Sequence, residues 1–243
     1  LHYARMGKPL LLVARRGQRL ETLAAQCLQL GSCQAEILAL DLTSPGAEQQ
    51  VLQALGERRL EVVVNNAGFG LVGAFLDAPP ERLRAMLRLN VEAATMLGYL
   101  LGERMVRQGS GLLLNVASLG SFLPGSYKAV YFASKAYLLS WSEALQHEWK
   151  SSGVRVVTLC PGPVETEFQQ VAGIEFRPAQ RTMLMSAQAV VAHTLRAIDQ
   201  GQNLVIPGRL NQLAVLLLGW LPRGWVASLG AHWSKMQQAK AKH

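Results

Sequence analysis

Hydrophobic and polar residues follow two different patterns along this chain. Short, mostly apolar runs rich in leucine, valine and isoleucine contain no regular polar alternation. Runs of this length and composition are typical of strands buried on both faces of a parallel sheet. The strands predicted in this way cover residues 9–14, 35–40, 60–64, 111–116, 154–159 and 203–207.

The longer segments between these runs have helical periodicity. Leu83, Met86, Leu87, Asn90 and Val91 recur at i, i+3, i+4, i+7 and i+8, which predicts one continuous helix over residues 79–108. Further helices are predicted at 18–30, 45–59 and 129–150, and residues 163–200 form a variable insertion that contains helix.

Strands and helices therefore alternate along the sequence. This order predicts an α/β fold, namely a doubly wound, Rossmann-like parallel sheet with helices on both faces. We expect a single domain over residues 1–210, followed by an amphipathic, basic extension over residues 211–243.

Composition narrows the possible classes of protein. The 243 residues are 50% hydrophobic and only 16% charged, which excludes a disordered or low-complexity chain. The net charge is +8, but the arginines are scattered, so a small anionic ligand or an anionic membrane surface is favoured over nucleic acid. Cys27, Cys33 and Cys160 lack CxxC spacing and the histidines lack ligand-spaced partners, so we expect no metal site and no disulfide framework. A reducing cytoplasm is the simplest location for such a chain.

Tyr131 and Lys135 are four residues apart within a helical pattern, so they share one face of the helix. A free tyrosine loses its proton only at about pH 10, and a nearby ammonium group favours the phenolate. The pair is therefore a candidate proton donor or acceptor, although an ordinary Tyr and Lys on a helix have the same spacing.

Other polar residues follow the predicted strands. Ser118 comes just after the strand 111–116, and Asn65-Asn66-Ala67-Gly68 and Pro161-Gly162-Pro163-Val164-Glu165-Thr166 end two further strands. Doubly wound sheets bind ligands at the carboxyl ends of their strands. Asn90 lies on the apolar face of its predicted helix, where a polar side chain needs buried partners.

With these elements in this order, residues 1 to about 210 resemble the short-chain dehydrogenase/reductase family. The resemblance implies that Tyr131 transfers the proton and that Ser118 hydrogen-bonds the substrate oxygen. It also implies that Lys135 lowers the Tyr131 pKa and holds the nicotinamide ribose, and that Asn90 holds a relay water. It also implies cofactor contacts in three further segments. Those residues are Asp41 and Leu42 near the adenine ring, Asn66, Ala67 and Gly68 near the adenine ribose, and Pro161, Gly162, Val164 and Thr166 over the nicotinamide.

The resemblance implies a choice of cofactor as well. Arg15 follows the strand 9–14, where an acidic residue would bind the ribose hydroxyls of NAD and an arginine accommodates the 2′-phosphate of NADP. A guanidinium group can bind that phosphate with two parallel hydrogen bonds. We therefore expect NADP(H). Gly68-Phe69-Gly70-Leu71-Val72-Gly73 imitates a dinucleotide-binding fingerprint, but we interpret it as a loop because prolines precede the next helix.

The family's own glycine turn, TGxxxGxG, is missing from the sequence. Residues 1–7 are interpreted as the end of the helix that follows this turn, with Gly7 as its C-terminal glycine. A strand, the turn and most of a helix, roughly 20–25 residues, are therefore expected upstream of Leu1. Without them, a protein expressed from Leu1 is expected to aggregate and to leave NADPH unoxidised.

The leading hypothesis is a reductase or alcohol dehydrogenase that acts on an apolar carbonyl or alcohol substrate and forms a homodimer or homotetramer. Aromatic and leucine side chains near the site favour the apolar substrate. They are Phe69, Leu71, Leu119, Phe122, Leu123, Phe168 and Phe176. The alternatives are a catalytically idle NADP(H) sensor and a membrane-surface protein that binds through its tail. The tail, with Leu213, Leu216, Leu217, Trp220 and Leu221 followed by lysines, suits a helix on an anionic membrane, a roof over the substrate pocket or a contact with a partner.

Overall fold

A computed structural model describes residues 1–172, 184–222, 224–228 and 230–231 of the chain. The chain divides into two compact units, Leu1–Arg59 and Leu60–His243. The domain boundary predicted at residue 210 therefore lies inside the second unit.

The first unit is built around a two-stranded parallel sheet. Its elements are α1 (His2–Arg5), β1 (Leu10–Ala14), α2 (Gly17–Gln29), β2 (Ala35–Ala39) and α3 (Ala47–Leu55). β1 and β2 pair in register from Leu10 opposite Ala35 to Ala14 opposite Ala39. Gly31, which follows the last residues of α2, has a φ of +107°, a backbone conformation that residues other than glycine rarely adopt.

The second unit contains a four-stranded parallel sheet in the order β3-β4-β5-β8. Its strands are β3 (Val62–Asn65), β4 (Gly111–Val116), β5 (Val154–Leu159) and β8 (Leu204–Val205), and β6 (Val164–Glu165) pairs separately with β7 (Met185–Ser186). Its helices are α4 (Pro80–Leu87), α5 (Ala94–Gln108), α6 (Ala129–Glu148), α7 (Phe168–Ala172), α8 (Ala187–Asp199) and α9 (Arg209–Trp220).

The core of this unit lies on both faces of the four-stranded sheet. Leu113 and Val156 pack with Leu145 of α6, whereas the next residue of β4, Leu114, packs with Val190 of α8. Successive residues of a strand point to opposite faces, so α6 and α8 cover the two sides of the sheet. This arrangement explains why the strands lack polar alternation.

The helix predicted over residues 79–108 is not a single α-helix. A π-helical segment, Arg88–Ala93, separates α4 from α5. Such a segment accommodates an extra residue within a turn and is found frequently at functional sites. Asn90 lies inside it and is fully buried. The apolar periodicity predicted the length of the helix but not this change of hydrogen bonding.

Among the residues described, every helix is too short or too polar to cross a membrane.

Candidate active site

The loops that follow β3, β4 and β5 meet at one edge of the second unit's sheet because the three strands are parallel and adjacent. Residues 66–74 follow β3, residues 117–128 follow β4, and residues 160–163 follow β5. Ser118 lies on the second of these loops, Tyr131 and Lys135 lie on the first turns of α6, and Asn90 lies in the π-helical segment.

Ser118, Tyr131 and Lys135 are brought together at the end of β4. Ser118 begins the 3-10 turn Leu119–Phe122, and its hydroxyl oxygen accepts the N–H of Gly120 at 3.1 Å. Lys135 is buried, and its Nζ donates to the carbonyl oxygen of Val116 at 2.8 Å, which fixes the ammonium beside the last residue of the strand. The Tyr131 side chain interacts with that of Ser118.

The expected lowering of the Tyr131 pKa by Lys135 is not present in this structure. Burial raises the pKa of Tyr131 to about 12, and a hydrogen bond with the Ser118 side chain only partly opposes this effect. The Lys135 ammonium is directed to the Val116 carbonyl. Tyr131 is therefore a neutral phenol at pH 7.

Burial has the opposite effect on Lys135, since it disfavours the charged ammonium. The pKa of Lys135 is lowered to about 8. Cys160, the buried residue after β5, lies close enough to influence this ammonium, and burial raises the pKa of its own thiol to about 12. The site thus holds a neutral thiol and an ammonium that titrates just above neutrality.

Asn90 positions the loop after β3. Its side-chain amide hydrogen-bonds both the N–H and the C=O of Phe69 and also the hydroxyl of Ser134. These contacts satisfy the side chain from two directions, as a buried amide requires. They make Asn90 a link between the π-helical segment, the loop and α6, while its predicted role in holding a relay water stays a prediction.

Gly68, the last residue of the Asn66-Ala67-Gly68 segment, lies close to Asn90 and Lys135. A Cβ atom on Gly68 would lie 3.0 Å from Asn90 Oδ1 and 3.5 Å from Lys135 Nζ. A side chain at this position would therefore crowd both groups unless they shifted. Residues 66–74 form a loop without helix, so the interpretation of the GxGxxG sequence as a loop is confirmed.

The loop after β5 is covered by α9. A Cβ atom on Gly162 would approach within 2.8 Å of the Asn211 amide nitrogen, which donates to the carbonyl of Pro207 at 2.6 Å. Asn211 was not among the predicted site residues. A polar residue at the start of an apolar helix was the available signal.

The residues that follow this loop support α7. The Val164 carbonyl accepts the Gln169 amide, and Thr166 Oγ1 accepts the N–H of Phe168 at 3.3 Å. Thr166 is exposed, with its hydroxyl at the start of α7.

Phe168 forms an aromatic wall beside Tyr131. Their ring centroids are 5.4 Å apart, and a Cβ atom on Gly70 would lie 3.0 Å from the Phe168 ring and 3.4 Å from the Tyr131 ring. The glycine allows both rings to approach its backbone. Of the predicted apolar lining, Phe176 lies outside the described residues.

In the first unit, Arg15 and Asp41 follow adjacent parallel strands. The pKa of Asp41 is lowered, mainly because its Oδ1 accepts hydrogen bonds from the Thr43 N–H at 2.9 Å and the Thr43 hydroxyl at 2.8 Å. The nearby Arg15 charge lowers it further. Arg15 is exposed and Leu42 is half-buried. The first unit thus presents a guanidinium group and an ionised carboxylate at the carboxyl end of its sheet.

A buried polar network supports the second unit's strand ends and was missed at the sequence level. Asn65 Nδ2 donates to Asn115 Oδ1 at 3.0 Å, and Asn115 Nδ2 donates to the Ser142 hydroxyl at 2.8 Å. An asparagine within the apolar strand 111–116 was the available signal.

The residues described contain no group of three metal-ligating side chains.

The parallel sheet covered on both faces, with polar groups gathered at the strands' carboxyl ends, defines the doubly wound class of α/β proteins. Comparison with known proteins specifies this class further. A family model described as short chain dehydrogenase matches residues 1–175. The chain therefore belongs to the short-chain dehydrogenase family of oxidoreductases.

Individual relatives agree with this assignment. A solved short-chain dehydrogenase from Sphingobium yanoikuyae, in complex with NADPH, superposes with a TM-score of 0.80 at 30% identity and covers 100% of this chain and 91% of that one. The superposition confirms the predicted fold class. An uncharacterised oxidoreductase from Staphylococcus epidermidis is 27% identical over 199 residues, covering 81% of this chain and 83% of its own length.

A further match spans much less of its relative. A probable oxidoreductase of Mycobacterium tuberculosis is 34% identical over 114 residues, which is 46% of this chain but only 19% of that protein.

Proposed function

We propose that this protein is an NADP(H)-dependent oxidoreductase that reduces a carbonyl group, or oxidises a secondary alcohol, on an apolar small molecule. The observation that carries the proposal is the cluster of Ser118, Tyr131 and Lys135 at the end of β4. A hydroxyl, a phenol and an ammonium group at one strand end are suited to binding a carbonyl oxygen and supplying it with a proton.

The reduction can be assigned to these side chains step by step. The Ser118 hydroxyl donates a hydrogen bond to the substrate oxygen and orients the carbonyl. With a pKa of about 12, Tyr131 carries its phenolic proton throughout the neutral range and has it available for transfer. As negative charge develops on the substrate oxygen, Tyr131 gives up this proton. To the Lys135 ammonium we assign the stabilisation of the phenolate that remains, a role that it would take up once the cofactor and the substrate are bound. Bound NADPH would supply the hydride.

The residues present fit this cofactor. Gly68 leaves an accessible backbone beside Lys135, whose ammonium has further N–H donors, besides that bonded to Val116, that can bind ribose hydroxyls. We assign Asn66, Ala67, Pro161, Gly162, Val164 and Thr166 to the same cofactor. In the first unit, Asp41 and Leu42 are assigned to the adenine and Arg15 to the 2′-phosphate, which makes NADP(H) the preferred cofactor.

The apolar substrate class is supported by the surroundings of Tyr131. The Phe168 ring packs against the Tyr131 ring, and the Phe132 ring also lies beside it, with 5.9 Å between the ring centroids of Phe132 and Tyr131. A carbonyl that approaches the phenol therefore meets aromatic rings. An apolar ketone or aldehyde gains from this contact, whereas a highly hydrated substrate loses water there without compensation.

A homodimer or homotetramer is proposed on the basis of an exposed aromatic and aliphatic strip on α5 and α6. Its members are Met96, Tyr99, Val106 and Tyr137. The ring centroids of Tyr137 and Trp141 are stacked 6.2 Å apart, and Tyr137 shares a 2.9 Å hydrogen bond with Thr95, so Tyr137 is held in place within the strip.

The decisive experiment compares the full-length wild type with its Tyr131→Phe and Tyr137→Phe variants in NADPH oxidation against a panel of apolar ketones and aldehydes. Tyr131→Phe should bind NADPH almost as tightly as wild type but lose about 10²–10⁴ in kcat, as is typical when a placed proton donor is removed. Tyr137→Phe, a tyrosine on the same helix outside the site, should keep most of the activity. If Tyr131→Phe retained more than about a tenth of the rate, Tyr131 would not be the proton donor.

A further inference from the structure

Helix α9 presents an apolar face to solvent. Its half-buried residues are Asn211, Val215 and Leu218, which at i, i+4 and i+7 form one side of the helix. The opposite side consists of large hydrophobic residues with exposed fractions between 51% and 85%. These residues, the outer face of α9, are Leu210, Leu213, Leu216, Leu217 and Trp220.

This outer face is too continuous for an ordinary solvent-exposed helix. Single exposed leucines are common on proteins, but a contiguous apolar patch marks an interaction site. Trp225, just beyond the helix, is also exposed, with 67% of its surface accessible. Tryptophan at the edge of an apolar patch is typical of a surface that meets the boundary between water and lipid.

The charge of the surrounding sequence selects the partner. Arg209 opens α9, and no aspartate or glutamate follows Asp199, whereas several basic residues do. The basic residues of this region are Arg209, Arg223, Lys235, Lys240 and Lys242. A stretch with an apolar helical face and positive charge only is complementary to a surface that combines apolar chains with negative headgroups.

We propose that the outer face of α9 docks on an anionic phospholipid bilayer and lies in its interface. The helix has 12 residues, about 18 Å in length, which is sufficient to lie along the interface but not to cross the bilayer. Its inner side stays on the protein through Asn211, which contacts both Gly162 and Pro207. Docking requires no rearrangement of that side and does not depend on the proposed reaction.

Co-sedimentation of the full chain with vesicles tests the proposal. The protein should bind vesicles of phosphatidylcholine with about 30% phosphatidylglycerol, bind pure phosphatidylcholine more weakly, and dissociate from the anionic vesicles as salt is raised. Leu213→Gln with Leu217→Gln should weaken binding at least about tenfold, because two buried leucines are lost from the lipid contact. The matched control, Leu28→Gln with Leu76→Gln, replaces two exposed leucines outside α9 and should bind like wild type.

A second measurement uses the native chain and does not depend on the folding of the leucine variant. Lipids with brominated acyl chains should quench the tryptophan fluorescence of wild type, and Trp220→Phe should remove a large part of that quenching. The proposal is overturned if wild type shows neither sedimentation nor quenching, or if the α9 variant binds as wild type does. A third outcome would also overturn it. If sedimentation equilibrium showed that the α9 variant is monomeric where wild type is dimeric, and vesicle binding were unchanged, the outer face would bind a second copy of the chain.

Discussion

The Asn90 side chain holds the backbone of Phe69 at both of its polar groups. Asn90 Oδ1 accepts the Phe69 N–H at 3.0 Å, and Asn90 Nδ2 donates to the Phe69 C=O at 2.9 Å. The same nitrogen donates to the Ser134 hydroxyl at 3.1 Å. One buried amide therefore ties the loop after β3 to α6 at Ser134, one turn from Tyr131 and next to Lys135.

Replacement of Asn90 should cost stability as well as activity. Asn90→Ala leaves buried polar groups of Phe69 without partners, at about 1–3 kcal/mol each, so the free energy of unfolding should fall by about 2–4 kcal/mol. Urea denaturation measures this change. Gln212→Ala removes an exposed amide bond to the Ile206 carbonyl and should change stability by less than about 0.5 kcal/mol. Equal effects of the two substitutions would show that Asn90 does not hold the loop.

The pH dependence of reduction should follow Lys135. Its pKa of about 8 means that the ammonium is charged below this pH and neutral above it, whereas Tyr131, with a pKa of about 12, stays protonated. The kcat of carbonyl reduction should therefore fall as the pH rises through about 8. A kcat that stays constant to pH values well above 8 would contradict this assignment.

Lys135 also makes the free energy of unfolding depend on pH, but in the direction opposite to that of kcat. The Lys135 pKa is about 8 in the folded protein and 10.5 for a lysine in an unfolded chain, so between these two pH values the unfolded chain binds the extra proton. The contribution of Lys135 to the free energy of unfolding should therefore rise over this window and stay at its lowest below pH 8. Urea denaturation of wild type and Lys135→Met across this pH range isolates the contribution of Lys135. It also shows whether a lower reaction rate at high pH is caused by unfolding.

Arg15 should discriminate between the two nicotinamide cofactors. Arg15→Ala removes charge-assisted hydrogen bonds to the 2′-phosphate, worth about 1.5–3 kcal/mol, so NADPH should bind roughly ten- to a hundredfold more weakly while NADH changes little. Isothermal titration with both cofactors measures the difference. Arg84→Ala, which removes an exposed arginine of α4, serves as the control. If NADPH and NADH lost affinity equally, Arg15 would not read the phosphate.

The packing of α5 on α6 depends on Gly98. A Cβ atom at this position would lie 2.4 Å from Trp141 Cη2, and Trp141 is itself stacked on Tyr137. Gly98→Ala should therefore destabilise the protein by about 1–3 kcal/mol through overpacking. Gly219→Ala in α9, where a Cβ atom has open space, should be neutral or slightly stabilising because alanine favours helix. Thermal unfolding of the two variants compares them, and similar melting temperatures would contradict the packing argument.

Much of the fold could be predicted because strands buried on both faces have an unambiguous pattern. The apolar run 111–116 became β4, and residues 154–159 became β5, with the predicted limits. The helix predicted over 45–59 was too long: α3 spans Ala47–Leu55, and Gly56, with a φ of +54°, lies just beyond it. Such ends depend on local backbone geometry that periodicity does not report.

The candidate site was predictable where it depends on spacing within one helix or on strand ends. Tyr131 and Lys135 share a helix face, and Ser118 lies at the end of β4, as expected. The hydrogen bonds of Asn90 to Phe69 could not be predicted, since they depend on the π-helical segment and join residues 21 positions apart. The pKa of Tyr131 was predicted in the wrong direction because burial depends on tertiary packing, which the sequence does not display.

The contact between Asn211 and Gly162 places one end of α9 against the loop after β5, while Trp220 lies at the other, exposed end. A bilayer bound at the outer face would hold the loop after β5, which borders the candidate site, within one helix length of the lipid. Turnover of a lipid-soluble ketone would then obey surface-dilution kinetics. Its rate would be set by the mole fraction of ketone in the membrane, and inert lipid added at a constant total amount of ketone would slow the reaction without any inhibitor being present.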